Sequence, residues 1–223
     1  MVDGDWSSVI FSDRRDAGRQ LAERLAAQEL VDPVVLALPR GGVPVAYEVA
    51  RRLRAPLDVI VARKIGAPWR PELGVGAIAE GGEPVFDPAM LAAVGLRAAD
   101  LDDTVARERA ELDRRVRRYR GDRELPSVSG RDAVVVDDGL ATGVTARAAL
   151  RAVRQHDPRR LLLAVPVCAS QTVELLRDEA DDAVCLHAPA DFMGVGQWYR
   201  DFAQTSDETV IELLARAAAQ PSE

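Results

Sequence analysis

Short aliphatic and β-branched runs recur along the chain, each closed by a turn and followed by apolar residues spaced three and four apart. Ala17, Leu21 and Leu25 share one helical face, and Ser12 stands where an N-cap would start that helix, which extends to about Glu29. Val34 to Leu38 is a short apolar strand. Pro39-Arg40-Gly41-Gly42 breaks it, and Val43 to Leu53 has helical spacing. Leu57 to Ala62 is a second strand. The alternation returns with a strand at Arg131 to Val136, a helix to about Gln155, a strand at Leu161 to Val167, a helix from Gln171 and a strand at Ala183 to Leu186. Thr205 with Glu208 has the spacing of a capping box for a last helix. Strands alternating with helices in this way predict an α/β fold, a parallel sheet with helices on both faces.

Two segments depart from the rhythm. Residues 63–84 are rich in Gly and Pro and predict a mobile loop, with a hairpin turn at Gly81-Gly82. Residues 87–120 form an insertion. Asp87-Pro88 starts a short helix, and Arg97 to Arg120 is highly charged but carries an apolar stripe of Leu101, Val105, Leu112, Val116 and Tyr119. That stripe favours an amphipathic helix with a solvated charged face over a nucleic-acid-binding arm. Neither an internal repeat nor a linker divides the chain, so residues 1–223 read as one domain.

Composition narrows the choice. The 223 residues are 48% hydrophobic, ample for a core, and the net charge of −7 argues against broad nucleic-acid or membrane binding. No apolar stretch approaches a membrane span, and Met1 to Trp6 is acidic and lacks the basic start of a secretory leader, which predicts a cytoplasmic protein. Cys168 and Cys185 match no metal spacing and read as buried core thiols. His156 and His187 are isolated and read as structural. Of 29 basic residues only Lys64 is lysine, which suggests that a compact ammonium is wanted there.

The candidate chemistry is concentrated in Val134 to Ala146, V-V-V-D-D-G-L-A-T-G-V-T-A. An apolar strand ends in two carboxylates, Asp137 and Asp138. Ala141, Thr142, Gly143, Val144 and Thr145 then form a small hydroxyl-bearing loop at a helix start, where backbone N–H groups and the helix dipole favour an anion. The carboxylates would repel a phosphate, so they suit ribose hydroxyls or Mg²⁺. An acidic pair after a strand also occurs in response-regulator receivers, but those need a lysine further along, and the lone lysine here lies upstream. Gly74-Val75-Gly76 with Ala79 is a weak dinucleotide-like pattern with no clear helix behind it.

The segment resembles the phosphoribosyl-diphosphate signature of the type I phosphoribosyltransferases, except that Gly139 stands where a larger apolar residue is usual. The resemblance implies that Asp137 and Asp138 hold the ribose 2′- and 3′-hydroxyls, directly or with a metal, and that Ala141 to Thr145 wraps the 5′-phosphate. It places Arg40, Gly41 and Gly42 at the pyrophosphate, with Arg63 and Lys64 at the end of the next strand. It implies that the segment around residues 63–84 closes over the reacting centre, with Glu80 a charged participant. It also implies a C-terminal hood over residues 188–204 that holds the acceptor base, where Phe192, Val195, Trp198 and Tyr199 are the candidates.

Together these features imply a Mg²⁺-dependent transfer of the 5-phosphoribosyl group from phosphoribosyl diphosphate to a nitrogenous base, with release of pyrophosphate. Ala141 replaces the aspartate of hypoxanthine/guanine enzymes, so that acceptor class is not supported. The resemblance extends to predicted phosphoribosyltransferases of unassigned substrate, and homodimers are the family expectation. A non-catalytic regulator sensing phosphoribosyl diphosphate on the same fold is the alternative, and a phosphate-ester hydrolase using the acidic pair is a weaker one.

Overall fold

The computed structural model describes residues 11–176 and 178–219; the acidic start read above at Met1 to Trp6 lies outside them. Five parallel strands, β1 (Val34–Ala37), β2 (Leu57–Val59), β6 (Asp132–Val136), β7 (Arg160–Val167) and β8 (Asp182–His187), form the central sheet in the order β2-β1-β6-β7-β8. Its strands are apolar on both faces because both are covered. Val35, Ala37, Val134 and Val136 join a core with α1 (Arg14–Ala26), α2 (Gly42–Leu53) and α7 (Asp207–Ala218), while Val34, Leu36, Ala133 and Val135 join another with α5 (Val144–Arg154). Neighbouring residues of one strand thus anchor opposite layers, as a period of two requires.

The order reverses at β1. The chain leaves β1 toward β2 on one side and returns on the other at β6. The loops after β1 and β6 therefore diverge above a crevice at the carboxyl ends of adjacent strands, the place where open α/β sheets bind ligands. Helix α6 (Ser170–Leu176) follows β7 on the same edge.

The predicted mobile segment is an antiparallel sheet. β3 (Ala62–Ala67) pairs with β4 (Arg70–Ala79), which pairs with β5 (Val85–Phe86), and Pro68-Trp69 forms the tip. Gly81, with φ +72, lies in the turn between β4 and β5, where the sequence predicted a turn. Small residues make the sheet possible: Ala77 and Ala79 pack into the core that contains α5, and Gly66 lies so close to Pro71 that a Cβ would sit 2.1 Å from its carbonyl oxygen. The insertion forms α3 (Pro88–Val94), a 3-10 turn and α4 (Asp102–Arg120). Leu101, Leu112 and Tyr119 of the expected stripe are buried, and Val105 and Val116 pack against the same core.

Three local expectations are corrected. Asp13, one residue after Ser12, caps α1 by accepting from the Asp16 N–H at 2.7 Å. Ser206, not Thr205, caps α7 through the Thr209 N–H; Thr205 is buried. Cys168 and Cys185, expected as separate thiols, are joined in a disulfide, because adjacent parallel strands bring their Cα atoms to 6.5 Å. No helix among the described residues is long and apolar enough to cross a membrane.

Candidate functional site

The loops after β1 and β6 meet with no room for side chains. A Cβ on Gly41 would lie 2.0 Å from Asp138 Oδ2, and one on Gly42 would lie 2.7 Å from the Val136 carbonyl oxygen. Glycine is required here by close approach. The Gly42 N–H donates to the Leu38 carbonyl at 3.0 Å, so it shapes the turn. The Arg40 and Gly41 N–H groups have no acceptor among the described residues. The Pro39–Arg40 peptide is cis. Arg40 lies 3.6 Å from Asp207 at the start of α7, a carboxylate that also accepts from the Tyr119 hydroxyl.

Asp137 and Asp138 are half-buried at the floor of the crevice. Asp137 Oδ1 accepts from the Asp138 N–H at 2.8 Å. Burial, and then the adjacent Asp138 charge, push Asp137 well above the usual carboxylate range. Burial raises Asp138 too, but Arg14 pulls against it: Arg14 Nε donates to Asp138 Oδ2 at 2.7 Å. Among the described residues, Arg14 is the cation bonded to this recessed pair.

Gly143, with φ +70, is the N-cap of α5, and no side chain caps that helix. Its first turn therefore presents unoccupied donors toward the crevice, flanked by exposed Ala141 and Thr142 and half-buried Val144 and Thr145. Thr172 of α6 secures this loop from behind. Its hydroxyl donates to the Ala141 carbonyl at 2.5 Å, and its methyl lies 2.6 Å from where a Gly143 Cβ would be.

The other expected residues separate. Arg63 is tied to Glu108 of α4 at 2.7 Å. Lys64 is exposed on the opposite face of β3, its stem lying across Gly74. Glu80 lies at the end of β4 in an ionic cluster. It pairs with Arg120, whose buried guanidinium also reaches Asp58 at 3.4 Å and the Val59 carbonyl at 2.6 Å. Asp58 and Arg120 are both buried, so Glu80 completes a closed ionic cluster.

In the expected hood, Trp198 and Tyr199 are buried in a cluster with Phe11, Ala17 and Val167. Tyr199 packs against Phe11 and Phe202 with ring centroids 5.3 and 5.1 Å away, and its hydroxyl donates to the Asp138 carbonyl at 2.5 Å. Phe192 and Val195 remain partly accessible. Val195 fills the space beside Gly139, where a Cβ would lie 2.6 Å from Val195 Cγ1. The larger side chain that the signature lacks at position 139 is thus replaced in space by one from the hood. Sequence reasoning missed Arg14, Thr172 and Phe202, since each meets its partner only through the fold.

This is a doubly wound α/β domain whose acidic pair, glycine turn and uncapped helix start meet at the switch point, where such folds bind their ligands. The phosphoribosyl transferase domain family matches residues 14–199, and the chain belongs to it. Proteins from two strains of Mycobacterium tuberculosis, provisionally named as phosphoribosyl transferases, are each 50% identical over 208 residues, which is 93% of this chain and 47% of theirs. The chain thus spans about half the length of these relatives. The crystal structure of TT1426 from Thermus thermophilus superposes with a TM-score of 0.78 at 48% identity, covering 92% of this chain and 98% of that one.

Proposed function

We propose that this domain transfers the 5-phosphoribosyl group of phosphoribosyl diphosphate to a nitrogen nucleophile. The bond from C1′ to the pyrophosphate oxygen breaks with its electron pair leaving on that oxygen. The nitrogen–C1′ bond forms, and the proton displaced from nitrogen passes to solvent. The supporting observation is the packing of Gly41 on Asp138 and Gly42 on Val136, which sets leaving-group donors, ribose acceptors and the phosphate loop around one crevice.

Each part has one task. The first turn of α5 and the hydroxyls of Thr142 and Thr145 hold the 5′-phosphate, and Thr172 keeps the loop in place. Asp137 and Asp138 accept the ribose hydroxyls. The Arg40 and Gly41 amides receive the pyrophosphate, with the Arg40 side chain as its cation. Anchoring the ribose and its phosphate positions C1′ for attack. Closure of the β3–β4 ribbon excludes water from an electron-poor sugar. The acceptor lies against Phe192 and Val195, with Trp198 and Tyr199 supporting that wall from within.

The acidic pair fits Mg²⁺. Its oxygens are hard donors, and Mg²⁺ commonly takes one or two carboxylates and completes its shell with ligand oxygens and water. When bound, Mg²⁺ would neutralise the leaving pyrophosphate.

A pyrophosphate-release screen with phosphoribosyl diphosphate, Mg²⁺ and a panel of purines, pyrimidines and other nitrogen nucleophiles tests the reading. Turnover with one class supports transfer. Binding without release for every acceptor favours a sensor, and orthophosphate release marks a hydrolase. The double substitution Asp137→Asn with Asp138→Asn should abolish phosphoribosyl diphosphate binding in a folded protein, and retained affinity would refute the site.

A further inference from the structure

Arg14 opens α1, directly after its capping residue. Arginine is unfavourable there, because the helix N-terminus is already positive, and Arg15 doubles the conflict. Local rules are broken in this way most often where a site demands it. The fold shows what Arg14 gains. Its guanidinium makes three contacts at once: Nε to Asp138 Oδ2 at 2.7 Å, Nη1 to the Ala203 carbonyl at 2.7 Å, and a face over the Phe202 ring at 3.9 Å. The Arg14 side chain is 11% exposed and that of Asp138 14%.

The contacts connect two parts of the crevice. Asp138 belongs to the acidic pair, while Phe202 and Ala203 belong to the segment that carries Val195, Trp198 and Tyr199. Tyr199 joins them a second time through the Asp138 carbonyl. Arg14 takes Oδ2 of Asp138, and Oδ1 is left to a ligand hydroxyl. The planar guanidinium can donate at its edge while it stacks on a ring. An ammonium cannot do both.

We propose that Arg14 is a positioning residue of the ribose site: it fixes the orientation of Asp138 toward the ligand hydroxyls and ties that carboxylate to the hood. This rests on the reading of Asp137 and Asp138 as the ribose-binding pair. A structural ion pair would stabilise the fold without discriminating among ligands. A positioning residue acts on the ribose and leaves the phosphate loop alone.

Calorimetry with ribose 5-phosphate and with inorganic phosphate separates these roles. In Arg14→Gln, ribose 5-phosphate should bind at least tenfold more weakly, while inorganic phosphate stays within twofold of the wild type. Arg14→Lys, which restores the charge without the stack, should recover only part of the loss. Equal weakening of both ligands, or no weakening of either, would overturn the proposal. So would full recovery by lysine, since charge alone would then suffice. If the wild type binds phosphate but prefers ribose 5-phosphate by less than twofold, the ribose reading itself fails, and the Arg14 inference falls with it.

Discussion

Gly41→Ala is the sharpest probe of how the two loops meet. Gly41 has φ −61, an ordinary right-handed value, so its backbone accepts alanine without strain. Any effect therefore comes from the added methyl. That carbon would sit 2.0 Å from Asp138 Oδ2 and 2.6 Å from Cγ, where ordinary contact begins at 3.4 Å. The carboxylate would have to retreat by about 1.4 Å. It is held by Arg14 at 2.7 Å, and the same residue's carbonyl is held by Tyr199. Retreat lengthens the Arg14 bond beyond useful range, a loss of roughly 1.5–3 kcal/mol for a charged hydrogen bond. If the loop moves instead, overpacking costs about 1–3 kcal/mol. By either route the variant should lose about 1–3 kcal/mol on denaturant unfolding, and ribose 5-phosphate binding should weaken at least tenfold. Gly194→Ala is the control, since a Cβ there meets nothing within 4 Å. In an Asp138→Ala background the obstacle is gone, so Gly41→Ala should then cost under about 1 kcal/mol. If the two substitutions prove additive, the loops do not meet as described and the convergence argument fails.

Glu80→Gln should lower unfolding stability yet leave ribose 5-phosphate affinity within twofold; a selective loss of turnover with unchanged stability would return Glu80 to the chemistry. Arg120→Met leaves Glu80 without its partner and Asp58 with only the more distant Arg123 at 3.7 Å, and should cost about 3–5 kcal/mol on denaturant unfolding, a cost that a solvated pair would not show. Thr172→Val keeps the methyl beside Gly143 but removes the hydroxyl that holds Ala141, so inorganic phosphate binding should weaken several-fold with about 1 kcal/mol of stability lost. Cys168→Ser with Cys185→Ser should reduce stability by about 2–4 kcal/mol against the oxidised wild type and by much less against the reduced one; identical unfolding of all three would mean the bridge does not form in solution.

The parallel sheet was legible because its strands are continuous apolar runs, which only strands covered on both faces can tolerate. Val34 to Leu38 and Leu161 to Val167 could be placed within a residue or two on that basis. The β3–β4 ribbon was hidden because its pairing depends on small residues. Gly66, Gly74 and Gly76 are poor strand formers, and they are present because Pro71, the Lys64 stem and Val85 approach them closely. A contact between segments overrode local propensity, and composition alone read as a loop. The caps of α1 and α7 were each misplaced by one residue, since Ser12 and Asp13, or Thr205 and Ser206, are chemically equivalent choices until the backbone turns.

The site divides along the same line. The half proposed for phosphate and ribose lies within one continuous segment, Val134 to Ala146, because a strand end and a helix start can themselves deliver carboxylates and N–H groups to one ligand. The acceptor half has no such local code. Val195 takes the space that Gly139 leaves, Tyr199 bonds the Asp138 carbonyl, and Arg14 reaches Asp138 across 124 positions of sequence. Each of these contacts joins a side chain to a part of the chain that the fold alone brings near. Under the proposed function, acceptor choice should therefore be coupled to the ribose site through Asp138 and Gly139. Substituting Gly139→Ala should destabilise through its φ of +159 and through contact with both Val195 and Val167, and pairing it with Val195→Gly should restore only the part due to Val195. If the pair recovers that part while altering which nitrogen nucleophile is taken, the hood and the signature loop form one specificity element. If that part returns and acceptor choice is unchanged, the Gly139–Val195 contact is packing only, and specificity lies nearer Phe192.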